Sequence, residues 1–325
     1  MKKALFALLA LPAALVLALA PLGQAQAKWP QNPIKIVLPF GPGGVADVTA
    51  RIMAAKLTDK FGQQVLIENM PGPGGINAAR TVINAPPDGY TMALVTNGTS
   101  ISVAAFNKLP FDPVKDLQMV SMVGTFDLVF AVNARSEYKA LGDFIKAARA
   151  APGKFNVGTT LLGGTQNLGA ELFKSMADLN IQVVVYKTSP DIVVALFRND
   201  VQMMIDFPPA VQGQVNDGKV RILATSSPKR SGRMPNVPTV AEAGVPDYEV
   251  ISWNGVAAPK GTPKEVIDTM NKAMNEVLAT PELQAAFEKV GVEAHGSTPD
   301  ELADRLKADI TKWDAVITKA GIPKK

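Results

Sequence analysis

Between residues 34 and 257, short apolar runs rich in β-branched residues alternate with stretches whose apolar positions recur at helical spacing. The runs predict strands at 34–38, 65–68, 91–96, 128–133, 155–158, 182–186, 202–206, 221–225 and 249–257. The helical spacing predicts helices at 48–60, 141–151, 168–179 and 191–199. Such alternation argues for α/β architecture with largely parallel sheets. Beyond residue 260 the pattern is helical alone, with three start signals: Thr262-Pro263-Lys264-Glu265, Thr280-Pro281-Glu282 and Thr298-Pro299-Asp300-Glu301. Each sets a cap residue before a proline at the first helical position, with an acid placed for a capping box. A strand-rich middle flanked by more α/β material implies that the chain crosses between two domains twice. A double crossover makes a two-strand hinge, which suits clam-shell closure.

The first residues carry a different pattern. Lys2 and Lys3 precede an uncharged apolar run at 4–20, and Ala25-Gln26-Ala27 stands just before Lys28. This reads as a secretory signal peptide cleaved after Ala27, and the run is short for a membrane span. The expected product is a periplasmic, soluble monomer starting at Lys28. There is no cysteine, so stability must come from the core without a disulfide framework. The remaining length suits two domains: 28–126 with 252–325, and 127–251. The net charge of +4 includes Lys2 and Lys3, and no basic run asks for nucleic acid.

Pro39-Phe40-Gly41-Pro42-Gly43-Gly44 lies between the first strand and the first helix. Glycines there leave backbone amides uncovered, and the following helix directs its positive end at the same place. Asp47 is placed to cap that helix, and Arg51 to pair with a carboxylate. A second unit follows the strand at 155–158: Thr159-Thr160-Leu161-Leu162-Gly163-Gly164-Thr165-Gln166, then a helix from about Asn167. Two such units facing one cleft would clamp a carboxylate from both sides. Asp206 ends an apolar strand, at a sheet end where cleft ligands bind.

Gly41-Pro42-Gly43-Gly44-Val45-Ala46 also fits the G-x-G-x-x-A dinucleotide fingerprint, with Glu68 at the end of the next strand. Export and the two prolines that stiffen the turn count against a nicotinamide-dependent oxidoreductase. His295 is the single histidine, which leaves no histidine pair for zinc and little room for a hydrolase triad. The residues point to no cofactor, metal or catalysis.

The chain resembles the Bug/TctC family, the extracytoplasmic receptors of tripartite tricarboxylate transporters. The likeness runs through residues 39–44 with Asp47 and Arg51, Glu68-Asn69, 71–75 and Pro87-Asp88-Gly89-Tyr90-Thr91. It continues through Glu171-Leu172-Phe173, Tyr186-Lys187, 238–244, Trp253-Asn254-Gly255 and Ala258-Pro259. The resemblance implies a type II periplasmic-binding-protein fold, two Rossmann-like domains joined by a two-strand hinge. It implies membrane permease subunits as partners, although a sensory receptor of the same fold would look alike. It also implies a carboxylate held by backbone amides and ordered waters at Phe40, Gly41, Gly43 and Gly44 and at Gly163, Gly164 and Thr165. The loop at 96–100, with Asn97 and Thr99, would face the cleft, as would Thr159. Three departures lie in the expected cleft: Asn167 where His is common, Thr188-Ser189 where Gly-Gly is common, and Asp127 where Pro is frequent. With Leu161 and Leu162 as added apolar wall, they suit a dicarboxylate or an aromatic acid.

Overall fold

The computed structural model describes residues 29–160 and 162–324, so the leader and Leu161 lie outside the described residues. The first half runs β1 (Ile34–Leu38), α1 (Val45–Phe61), β2 (Val65–Asn69), α2 (Ile76–Ile83), β3 (Thr91–Thr96), α3 (Asn97–Ala105), β4 (Leu117–Asp127), β5 (Val129–Asn133), α4 (Leu141–Ala150) and β6 (Asn156–Thr160). The second runs α5 (Thr165–Met176), β7 (Gln182–Tyr186), α6 (Ser189–Arg198), β8 (Met203–Asp206), α7 (Gln212–Asn216), β9 (Val220–Thr225), β10 (Ile251–Pro259), α8 (Lys264–Leu278), α9 (Pro281–Lys289), β11 (Glu293–Ala294) and α10 (Pro299–Ala320).

The strands form two sheets, ordered β11-β4-β10-β3-β1-β2 and β7-β6-β8-β5-β9. Apart from the short edge strand β11, the two orders are the same. Each reads second, first, third, then the strand that has just crossed from the other domain, then the last. β1, β2 and β3 run parallel, as do β6, β7 and β8, while β10 and β5 enter antiparallel. Helices follow β1, β3 and β6 directly, so their N-termini gather at the C-terminal edges of the parallel strands, where open α/β sheets bind ligands.

Packing explains the strand patterns. β1 is buried on both faces, against α1, α8 and α9 through Leu57, Met270 and Phe287, and against the Trp253 side, where Ala78, Val82 and Leu302 pack. A continuous apolar run is what a doubly covered strand requires. In the second sheet Phe130, Phe144, Phe173 and Tyr248 form one core with Ile101 of α3 and Trp313 and Ile317 of α10. α3 and α10 therefore bury apolar surface against the second sheet although they flank the first in sequence.

The chain crosses at Leu128 and again between β9 and β10, and Ser226 staples the crossing. Its amide donates to Leu128 O and its hydroxyl accepts from Leu128 N at 2.7 Å. The same hydroxyl donates to Val250 O, and Val250 N donates back to Ser226 O. On the far side, one face of α10 grips the returning strand. The Trp253 indole donates to Asp309, Arg305 pairs with Asp309, and Lys312 donates to Glu249 O.

Several sequence expectations need correction. β4 and the helices α2 and α3 were not expected, and β11 interrupts the all-helical C-terminal region. The segment at 96–100 is not a loop: Thr96 caps α3 in a box with Thr99. α8 is capped at Pro263, because the Thr262 hydroxyl donates to Pro259 O instead. Thr280 is the N-cap of α9, but its hydroxyl donates to Val277 O and does not cap the helix, whereas Thr298 and Glu301 make the full box of α10.

Candidate binding cleft

The loop between β1 and α1 is shaped by a carboxylate within the helix. Gly44, not Asp47, is the N-cap, in extended conformation with φ −76° and ψ 168°. Asp47 stands three residues further on and turns back to accept the Gly43 amide at 2.9 Å. Arg51 pairs with the same carboxylate at 2.9 Å, and Asn69 donates to it at 2.9 Å and to Phe40 O at 3.0 Å. The Arg51 guanidinium, with help from the Gly43 amide and Asn69, outweighs burial and holds the Asp47 carboxyl down at about 2. The group is thus ionised at any working pH. Gly43 has φ +89°, a conformation that a β-carbon penalises.

The loop between β6 and α5 repeats this arrangement. Gly163 has φ +74°, Gly164 is the extended N-cap with φ −82° and ψ 172°, and the Gly163 amide donates to the Asn167 side chain at 2.9 Å. The first intrahelical bonds run from Val48 N to Gly44 O and from Leu168 N to Gly164 O. The amides of 45–47 and 165–167 stand before them with no helical acceptor. Both helix mouths therefore present donors and positive partial charge. Phe40 and Leu162 sit beside them as exposed apolar side chains, 40% and 54% accessible.

Asn97 and Thr165 join the two halves. Asn97 is buried; its amide donates to Thr165 Oγ1 at 3.0 Å and its carbonyl oxygen accepts from the Trp313 indole at 2.8 Å. Because β3 lies beside β1, this bond draws the N-terminus of α5 to the sheet edge from which α1 starts. Asn97 and Thr165 bond each other, and Thr99 accepts from Thr96 N. Asp206 is likewise occupied, taking Gln166 at 3.2 Å, Ser189 at 2.6 Å and the Phe207 amide at 2.8 Å. It ties the starts of α5 and α6 to the end of β8. The Thr159 hydroxyl is buried without a hydrogen-bond partner. Gly41 and Gly44 are exposed on the first loop. A groove of about 660 Å³ lies elsewhere, between β9, Arg233 and Glu288, and neither glycine loop lines it. The ends of β1, β3 and β6, with the free amides that follow them, are the candidate site.

Residues 49–322 match the family model described as the tripartite tricarboxylate transporter family receptor. The chain belongs to this receptor family. BugT of Bordetella pertussis is 34% identical over 295 residues, covering 90% of both chains. Among solved structures, an R. palustris protein with adipate is 33% identical, covering 91% of this chain and 99% of that one with a TM-score of 0.77. MatC from Rhodopseudomonas palustris with bound malate is 28% identical at a TM-score of 0.72, covering 89% of this chain and all of its own. The receptor family fixes the type II binding-protein fold and makes the chain a receptor, not an enzyme. The dinucleotide reading falls with it, and Glu68, the acid that reading needs, pairs with Lys35 at 2.7 Å. Among the described residues of this receptor, no helix is long and apolar enough to cross a membrane.

A receptor that relies on these turns should tolerate no β-carbon at either left-handed glycine. Gly163 is the counterpart of Gly43. A β-carbon at Gly43 or Gly163 meets nothing within 4 Å, so the cost is conformational. Gly43→Ala and Gly163→Ala should each lose about 1–2 kcal/mol of stability. Urea denaturation measures this, and unchanged midpoints would show that the loops adapt.

Proposed function

We propose that the protein captures a small carboxylate, a dicarboxylate or an aromatic acid, between its two domains and delivers it to the membrane subunits of a tripartite tricarboxylate-type transporter. The observation that carries this reading is the pair of equivalent βα loops, each opening on a helix whose first amides have no helical acceptor. Backbone donors at helix N-termini favour anions and offer a cation nothing. Relatives with bound adipate and malate support a carboxylate, and exposed Phe40 and Leu162 suit a hydrocarbon body between charged ends. The Gly43 and Gly163 amides are already used within their loops, so the contacts fall to Gly44 and the amides that follow it, and to Gly164, Thr165 and Gln166. Asp206 acts in this reading by holding Gln166 and Ser189 in place. The working form is the periplasmic monomer that begins at Lys28, with domains at 28–126 plus 252–325 and at 127–251.

Titration calorimetry with adipate, terephthalate, malate and citrate tests the proposal. At least one acid should bind, and its dimethyl ester should bind roughly 10–100-fold more weakly, since each charge-assisted hydrogen bond contributes about 1.5–3 kcal/mol. An ester that binds as tightly as the acid would sink the carboxylate assignment.

A further inference from the structure

The two glycine loops match in backbone and differ in charge. Gly43 and Gly163 share the left-handed conformation, Gly44 and Gly164 the extended cap, and the side chain three residues later clasps the glycine amide at 2.9 Å in both. In α1 that clasp is Asp47, ionised and paired with Arg51 one turn on. In α5 it is Asn167, neutral and 2% exposed, and the position one turn on holds Glu171, whose carboxyl burial pushes up. A carboxylate in the first turn of a helix neutralises part of the positive end; in α1 Arg51 balances that charge, whereas the start of α5 already carries Asp206, bonded to Gln166, and has no arginine at the matching place.

We propose that Asn167 is a positioning residue that also sets the charge of the α5 mouth. It makes the clasp that Asp47 makes in α1 without adding a second carboxylate to a mouth that already holds Asp206 on Gln166 and has Glu171, not an arginine, one turn on. The mouth of α1 tolerates its carboxylate because Arg51 balances it. This rests on the carboxylate reading above, and the wild-type titration separates the two.

The test is adipate and malate titration of the full chain and its variants at low and high salt. Asn167→Asp can accept the same amide but buries an unpaired carboxylate, so its melting temperature should fall at neutral pH, and affinity should fall at least about tenfold at low salt, less at high salt. Adding Glu171→Arg recreates the α1 pair in α5 and should recover most of the loss. Asn167→Ala removes the clasp but adds no charge, so its loss should not depend on salt. Independently of α5, Arg51→Gln should weaken binding in a salt-dependent way, and Asp47→Asn in the same chain should reverse that. A wild-type protein that binds, with Asn167→Asp and Arg51→Gln binding as tightly, overturns this inference alone. Losses that neither salt nor the second substitutions relieve overturn it too, because they mark a purely structural clasp. A wild-type protein that binds no carboxylate removes the preceding reading and this one with it.

Discussion

Replacing Ser226 by alanine should lower the unfolding free energy by about 2–4 kcal/mol, a large loss for one hydroxyl. The residue is fully buried where the two crossing strands meet, and its hydroxyl accepts a hydrogen bond from Leu128 N and donates one to Val250 O. Alanine leaves both main-chain groups without that partner in a place water does not reach, and each orphan costs about 1–3 kcal/mol. The damage falls on the hinge, so hydrogen exchange at Leu128 and Val250 should quicken more than in the sheet centres. Urea denaturation and exchange check this. A loss under about 0.5 kcal/mol would mean that the strands pair without the staple.

Substituting Asp127 by asparagine should stabilise the protein at neutral pH and remove a pH dependence. Asp127 ends β4 at the first crossing, and burial pushes its carboxyl up to about 6; nearby Glu293 adds to the rise, while Ser227 and Arg233 oppose it. The folded state therefore binds the proton more tightly than the unfolded chain, whose value is 3.8. The stabilisation is fully present below about pH 4 and is lost as pH rises through about 6. By linkage it amounts to at most about 3 kcal/mol. Wild type minus Asp127→Asn, measured by denaturation from pH 5 to pH 7.5, isolates this group from the other carboxylates. The difference should shift in favour of the asparagine variant as pH rises. A difference constant with pH would show that Asp127 titrates normally.

Much of the fold was legible because doubly covered strands read as uninterrupted apolar runs. β1, β3 and β7 fall at their expected bounds. β4 escaped because Gln118, Ser121, Gly124 and Thr125 interrupt its run; Ser121 is tolerated there because it bonds Ser297. α3 escaped because Asn97-Gly98-Thr99-Ser100 has loop composition, and the helix forms through the Thr96–Thr99 box and burial against α10. The glycine loops were legible as turns that open on helices with free first amides, since glycines stand just before each helix. What could not be read was where side chains at their rims would turn. Asn97, Thr165 and Asp206 are polar residues at a predicted cleft, and local sequence does not reveal that partners 68, 216 and 40 positions away would claim them. Asp47 was recognised as structural, but its place inside the helix depends on the three extra residues at the start of α1.

The strand order has a consequence for how the chain acquires its structure. β10 lies between β3 and β4 in the first sheet, yet it begins at Ile251, more than a hundred residues after both. Until it emerges, β3 and β4 have no shared neighbour, and the core around Trp253 cannot assemble. The second sheet waits longer still, because Trp313 and Ile317 at the far end of α10 complete its interior. Contacts of such long sequence separation fold slowly, since loop closure must precede any gain in burial. A chain delivered N-terminus first therefore stays short of its native state until almost all of it has been made.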